Sequence, residues 1–317
     1  MSIPRNPGVP LDLGWIESVQ VNRPALERRA ATHCTRRSVK KQTQLAWLLR
    51  VIQCIDLTAL SGDDTAGNVT RLCRKAAHPL RPDYIERLGL KDRKVTVGAV
   101  CVYPNRVKDC VAALKGTNLN IASVAAGFPA GQTPMAQRLA EIEEAVKYGA
   151  TEIDIVVTRE HVINKNWSAL YDETKLMREK CGEARLKVIL AVGDLPTLRD
   201  VYKASLVTMM AGADFIKTST GKEGINATMP VGILMARAVR DYHERTGHKV
   251  GFKPAGGIRS AKVATQWLAM IYEELGKEWC QPQLFRIGAS SLLADVERQI
   301  EHGLSARYAA YYYQPMT

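Results

Sequence analysis

Ala213-Asp214-Phe215-Ile216-Lys217-Thr218-Ser219-Thr220-Gly221-Lys222 begins as an apolar strand and ends in a hydroxyl- and glycine-rich turn, with a lysine where the two meet. Lys249-Val250-Gly251-Phe252-Lys253-Pro254-Ala255-Gly256-Gly257-Ile258 repeats the design. A charged lysine on a core strand is costly unless it is neutral or paired. A single lysine ending a strand ordinarily reaches solvent along its alkyl stem. Two of them, each followed by glycines fit to approach a phosphate, point instead to amine chemistry on a phosphorylated carbonyl compound.

Outward from these two stretches the chain alternates regularly. Apolar strands are expected at 51–58, 94–102, 120–124, 152–157, 186–192, 214–218, 249–254 and 284–287. Helical periodicity follows each of them, at 65–77, 106–114, 134–148, 167–181, 198–211, 231–246, 261–275 and 292–302. Eight strand–helix units in strict alternation predict a parallel sheet, either a closed (β/α)8 TIM barrel or an open doubly wound sheet. Asp56, Cys101, Asp154, Lys217, Lys253 and Ser290 all fall at or just after strand C-termini. A barrel gathers those ends around one mouth, whereas an open sheet spreads them over several crevices. The barrel is the expected fold.

Residues 50–302 are assigned to this barrel, 1–49 to a tail and helical extension, and 303–317 to a C-terminal tail. Residues 1–10, with three prolines and a glycine, read as a loose tail. Residues 11–49 read as helices packed outside the barrel. The mean hydropathy of -0.15 and hydrophobic fraction of 46% describe a soluble chain with ample core material. No apolar run is long enough for a membrane span and no leader is visible, so the cytoplasm is the expected location. The seven cysteines are scattered without a C-x-x-C pair, and the six histidines are equally dispersed. Neither a disulfide framework nor a catalytic metal is expected, and no cofactor is implied. The net charge is +12, and residues 1–50 carry nine Lys/Arg against three acids. With no recognisable nucleic-acid fold, this excess reads as a solvated helical face rather than an RNA-binding arm. The oligomeric state is left open, with a homo-oligomer compatible.

In a strand alternate residues share a face, so Phe215 and Lys217 point one way and Asp214 and Ile216 the other. Strands six and seven are neighbours in a barrel, which brings Lys253 to the height of Lys217. At about 4 Å and an effective dielectric of about 20 the two ammonium groups repel by roughly 4 kcal/mol, equivalent to about 3 pKa units. One lysine then loses its proton near neutral pH and becomes a nucleophile able to form a Schiff base. An iminium on Lys217 acts as an electron sink for cleavage of a carbon–carbon bond. Asp154 and Lys253 are the candidates for proton transfer, with Asp56 orienting one of them. Phosphate is expected between the loops after strands seven and eight, Ala255-Gly256-Gly257 and Gly288-Ala289-Ser290-Ser291, with Gly221 and Lys222 closing a third side.

Asp-Phe-Ile-Lys-Thr-Ser-Thr-Gly-Lys at 214–222, Gly-Phe-Lys-Pro-Ala-Gly-Gly-Ile-Arg at 251–259 and Glu-Ile-Asp-Ile-Val at 152–156 resemble the deoxyribose-phosphate aldolase family. Ile-Asp-Leu-Thr at 55–58, Val-Cys-Val-Tyr-Pro at 100–104 and Gly-Ala-Ser-Ser-Leu-Leu at 288–293 extend the resemblance. It is colinear over about residues 50–302 and is similar to the longer, animal-type branch. The resemblance implies a lyase that reversibly cleaves 2-deoxy-D-ribose 5-phosphate to acetaldehyde and D-glyceraldehyde 3-phosphate, in deoxyribonucleotide catabolism. It implies that Lys217 is the Schiff-base lysine, Lys253 the neighbour that depresses its pKa, and Asp154 the proton relay. By the same resemblance Asp56 and Thr58 line the substrate site, and Lys222, Gly256, Gly257, Ser290 and Ser291 handle the phosphate; Cys101, Thr220 and Gly221, at the mouth, are expected to bind substrate with them. Val192-Gly193-Asp194-Leu195 departs from the family's Thr-Gly-Glu-Leu. The family's C-terminal tyrosine has four counterparts here, Tyr308, Tyr311, Tyr312 and Tyr313. Two other readings stand beside this one: another Schiff-base aldolase or transaldolase, and an RNA- or protein-binding role of the basic arm.

Overall fold

In the computed structural model, which describes residues 3–35, 39–310 and 314, three helices precede the first strand: α1 (Leu13–Ser18), α2 (Arg23–Thr35) and α3 (Lys41–Cys54). Strands β1 (Ile55–Thr58), β2 (Ala99–Val102), β3 (Asn120–Ala125) and β4 (Glu152–Val156) alternate with α4 (Ala66–Ala77), α5 (Pro82–Arg87), α6 (Val107–Ala113) and α7 (Met135–Lys147). The second half adds β5 (Arg185–Ile189), β6 (Phe215–Lys217), β7 (Gly251–Lys253) and β8 (Ile287–Ala289). Its helices are α8 (Arg159–Ile163), α9 (Trp167–Lys180), α10 (Leu198–Met210), α11 (Met229–Thr246), α12 (Ala261–Leu275) and α13 (Leu292–Ser305).

Every paired strand is parallel to its neighbour, and β1 pairs with both β2 and β8. Between β7 and β8 the ring closes through Phe252 N–H to Leu284 O, Arg286 N–H to Phe252 O and Gly288 N–H to Pro254 O. This is the expected eight-stranded (β/α)8 barrel. Local chemistry sets the helix ends. Thr65 and Asn68 form a reciprocal capping box at α4, Thr197 and Ser260 cap α10 and α12, and Gly247 ends α11 in the left-handed region. Gly251 on β7 makes room inside the barrel for the Phe215 ring, which a Cβ there would meet at 2.3 Å.

Several boundaries differ from expectation. The run 51–54 is the last turn of α3, not the start of β1. Val51, Ile52 and Cys54 are buried on a helix face, and a short apolar run has the same composition in either element. Strand β2 starts at Ala99 rather than 94, and β8 at Ile287 rather than 284. The short helices α5 and α8 were not foreseen, since neither is long enough to show a period.

Residues 3–10 are not a loose tail. The buried Asn6 side chain donates to Met209 O (2.8 Å) and Ala213 O (2.9 Å), and its backbone N–H donates to Asp214 Oδ1 (2.9 Å). Proline and glycine composition carries no sign of such side-chain bonds. α2 packs on α11 and α12, and α3 on α12 and α13. Part of the basic excess is spent there, with Arg29 2.9 Å from both Glu273 and Glu274. No helix among the described residues is long and apolar enough to cross a membrane.

Candidate active site

Strand register aligns the unusual residues. Lys217 on β6 lies opposite Lys253 on β7, and Asp154 on β4 opposite Lys187 on β5. Asp154 Oδ2 accepts from Lys217 Nζ and from Lys253 Nζ, each at 2.8 Å. Its other oxygen accepts from Lys187 Nζ at 2.9 Å. Lys253 also donates to Asp56 Oδ2 at 2.5 Å, and Arg286 donates to Asp56 Oδ1 at 2.6 Å. Lys187 reaches Glu152 at 2.6 Å and Asp56 at 3.4 Å, and Arg286 completes the set with Glu152 at 2.8 Å.

Among the described residues this interior network sets four cationic side chains against three carboxylates. The set therefore carries one more basic group than acidic, which disfavours the charged form of the most weakly paired one. Lys187 touches three carboxylates, and Lys253 and Arg286 two each. Lys217 touches Asp154 alone and shares that oxygen with Lys253. It is also the lysine nearest the mouth, 2% exposed against 0% for Lys187 and Lys253.

The titration of each group follows. Burial lowers the Lys217 pKa; Asp154 opposes that, and the charge on Lys253 adds to it. Burial acts the same way on Lys253, but Asp154 and Asp56 outweigh it and its pKa is raised. Burial alone would raise the Asp154 carboxyl, yet Lys187, Lys217 and Lys253 hold it well below the usual carboxylate range. The barrel thus places the lysine whose pKa is lowered, a carboxylate and a lysine whose pKa is raised on one hydrogen-bonded line.

Above this network a cleft of about 340 Å³ opens at the C-terminal ends of the strands. Lys217 forms its floor, and Thr58, Thr220, Gly221, Lys222, Gly256, Gly257, Ser290 and Ser291 are all on its walls. Gly257 has φ +82° and open space where a Cβ would project, so the backbone faces the cleft bare. Ser291 precedes α13 without capping it, which leaves that helix's first N–H groups aimed at the same end. Two of the expected substrate contacts are not among the residues lining the cleft. Asp56 is fully buried beneath the cleft in the ion network, and Cys101 is buried among Ala122, Val124, Phe128, Val156 and Ile189. The N–H groups of Thr220 and Gly221 are also already bonded, to the carboxylate of Glu223.

A model of DeoC/LacD family aldolases matches residues 50–298. The chain belongs to this aldolase family. The Homo sapiens protein named deoxyribose-phosphate aldolase is 59% identical over 98% of this chain and 99% of its own length. Its Mus musculus namesake is 60% identical over 98% of each chain. Among solved structures, the tetrameric deoxyribose phosphate aldolase of Aeropyrum pernix superposes with a TM-score of 0.57 at 23% identity, covering 85% of this chain and 100% of that one. At that identity the likeness carries the fold.

Four residues of this DeoC-type site escaped the sequence reading. Lys187, Glu152 and Arg286 belong to the interior network, and the exposed Arg259 lies on the cleft wall. Lys187 had a usable signal, a lysine in the apolar run Leu186-Lys187-Val188-Ile189. Arg259 follows Gly256-Gly257-Ile258 and could have been read as a second phosphate cation beside Lys222. Of the C-terminal tyrosines, Tyr308 is 83% exposed, while Tyr311, Tyr312 and Tyr313 lie outside the described residues.

Proposed function

We infer that this chain is a metal-independent class I aldolase that reversibly cleaves 2-deoxy-D-ribose 5-phosphate to acetaldehyde and D-glyceraldehyde 3-phosphate. The observation that carries the reading is Lys217: one carboxylate partner, a lowered pKa, and a position on the floor of a cleft rimmed by glycine, serine and lysine. Its neutral Nζ attacks the substrate's C1 aldehyde. Loss of water from the carbinolamine leaves an iminium, with Asp154 and Lys253 placed to pass the protons. Removal of the C3 hydroxyl proton then breaks the C2–C3 bond. The bonding electrons move into the iminium to form an enamine, and glyceraldehyde 3-phosphate departs. Protonation of the enamine at C2 and hydrolysis release acetaldehyde and restore the amine.

Lys222, Arg259, the Gly256–Gly257 backbone, Ser290, Ser291 and the N-terminus of α13 are assigned to the phosphate. Thr58 lines the sugar between the two ends. The names of the curated relatives favour this substrate over that of a transaldolase. A cytoplasmic location accords with the seven free cysteines. The test is borohydride trapping with acetaldehyde in the presence of a chelator, followed by peptide mapping. A reduced two-carbon adduct on Lys217 is expected. Active protein carrying the label elsewhere, or losing activity until metal is returned, would overturn the mechanism.

A further inference from the structure

The loop between β6 and α11 is held from within by one acidic side chain. The Glu223 carboxylate, with the side chain 4% exposed, accepts from Thr220 N–H at 3.0 Å, Thr220 Oγ1 at 2.7 Å and Gly221 N–H at 3.2 Å. Its backbone carbonyl accepts from Asn226 Nδ2 at 2.8 Å, and Lys222 N–H donates to Thr220 Oγ1 at 3.0 Å. A buried carboxylate of this kind is costly unless compensated. Compensation comes from Arg159, the first residue of α8, whose Nη2 lies 3.4 Å from Glu223 Oε1.

The same guanidinium reaches three loops. Its Nη1 donates to Ala130 O at 2.6 Å and its Nη2 to Pro129 O at 3.3 Å, both after β3. Its Nε pairs at 2.8 Å with Asp194, after β5. Glu223, after β6, is the third. A planar group with five donors in a fixed fork can join three loops in this way, which an ammonium cannot.

We propose that Arg159 and Glu223 are positioning residues for phosphate recognition, acting through the loop that carries Lys222. This inference rests on the aldolase reading and adds to it a device outside the cleft lining. With Thr220 and Gly221 bonded to Glu223, this loop offers the substrate the ammonium of Lys222 rather than its own N–H groups. Fixing the loop beforehand removes the ordering cost that the phosphate would otherwise meet on binding. Lys217 and Asp154 sit below on strands and do not depend on the device. The clamp therefore affects the phosphate end and leaves the amine end alone.

The measurement is steady-state kinetics of Glu223→Gln, Arg159→Met, Arg159→Lys and the Glu223→Gln/Arg159→Met pair, on deoxyribose 5-phosphate and on unphosphorylated deoxyribose. Glu223→Gln keeps the shape and one acceptor but turns an amide N–H₂ toward donors. For it and for Arg159→Met, KM for the phosphorylated sugar should rise about ten-fold, as for loss of a charged hydrogen bond, with kcat within about two-fold. kcat/KM on deoxyribose should stay within about two-fold. Arg159→Lys should recover part of the KM, and the double variant should be no worse than the poorer single one, because both act through one loop. Equal losses on both substrates, or an unchanged KM in a folded variant, would overturn the proposal. Should Arg159→Met fail to fold, Glu223→Gln decides alone. Acetaldehyde trapping on wild-type Lys217 is run in parallel, so that failure of the aldolase reading shows there and not in the variants.

Discussion

Replacing Lys253 by leucine separates two causes of the reactivity of Lys217. Both ammonium nitrogens lie 2.8 Å from the same Asp154 oxygen, so they are no further apart than two such bonds. At about 5 Å and an effective dielectric of about 20, their repulsion is roughly 3 kcal/mol, about a hundred-fold in the population of neutral amine. Charge balance gives the same sign. Without Lys253 the network holds three basic groups against three carboxylates, and the excess positive charge that disfavours the Lys217 ammonium is gone. The Lys217 pKa should therefore rise in Lys253→Leu. Since the neutral amine is the nucleophile, single-turnover imine formation at neutral pH should fall by about a hundred-fold. It should recover about ten-fold per pH unit until the pH passes the raised pKa. If Lys253 also transfers protons, the recovery will stop short of the wild-type plateau. Lys217→Leu is the control and should form no imine at any pH. The assay is borohydride-quenched trapping of acetaldehyde followed by intact-mass measurement across pH. A Lys253→Leu profile with the wild-type midpoint would refute the electrostatic argument and leave burial, the largest single influence on Lys217, as sufficient.

Gly257→Val should raise KM for deoxyribose 5-phosphate about ten-fold or more while sparing deoxyribose, because the side chain would stand in open cleft space; kinetics on the sugar pair checks this, and parallel losses would count against the phosphate assignment. Asn6→Ala strips donors from the Met209 and Ala213 carbonyls and should cost about 2 kcal/mol in denaturant unfolding; an unchanged midpoint would mean that the N-terminal segment is merely laid on the surface.

The barrel was legible because alternation of strand and helix is a property of local sequence, repeated eight times. The lysine pair was legible because a charge in an apolar strand breaks a strong rule, and glycines mark loops that must expose backbone. What was lost has physical causes. Lys187 breaks the same rule in mid-strand, but no glycine loop drew attention to it, and its three carboxylate partners come from two other strands, Asp56 from β1 and Glu152 and Asp154 from β4. Arg286 reads as the end of a strand and acts as an ion-pair anchor. Asp56 was expected to orient Asp154 or Lys253, and by resemblance to line the substrate site; it bonds Lys253 and Arg286 within the buried ion network. Asn6 was invisible since its role depends on Asp214 and the end of α10, about two hundred residues away. Pairings of that range are set by the closed barrel and leave no local trace.

The site divides its work by the kind of element that carries each group. Ionisable groups that must keep fixed spacing come from strands, or from the residue just before one in the case of Arg286, and register there fixes the separation of Asp154, Lys187, Lys217 and Lys253. The donors proposed for the phosphate come from loops and a helix end, where backbone N–H groups can face outward. In the proposed pose a five-carbon sugar held at one end by its phosphate has its aldehyde near the floor, where Lys217 stands. The Phe128 ring, its centroid 6.0 Å from Lys217 Nζ, and the buried cluster it shares with Cys101 give that lysine an apolar side. An apolar side favours the neutral amine over the ammonium and suits the methyl-bearing product that remains attached after cleavage. Phosphate binding is thus spent on orienting a carbonyl the barrel could not otherwise hold, since a two-carbon aldehyde offers little surface of its own. Weakening the phosphate grip without touching the strands should therefore reduce the occupancy of the imine formed from the sugar phosphate, while the imine formed directly from acetaldehyde stays as it is.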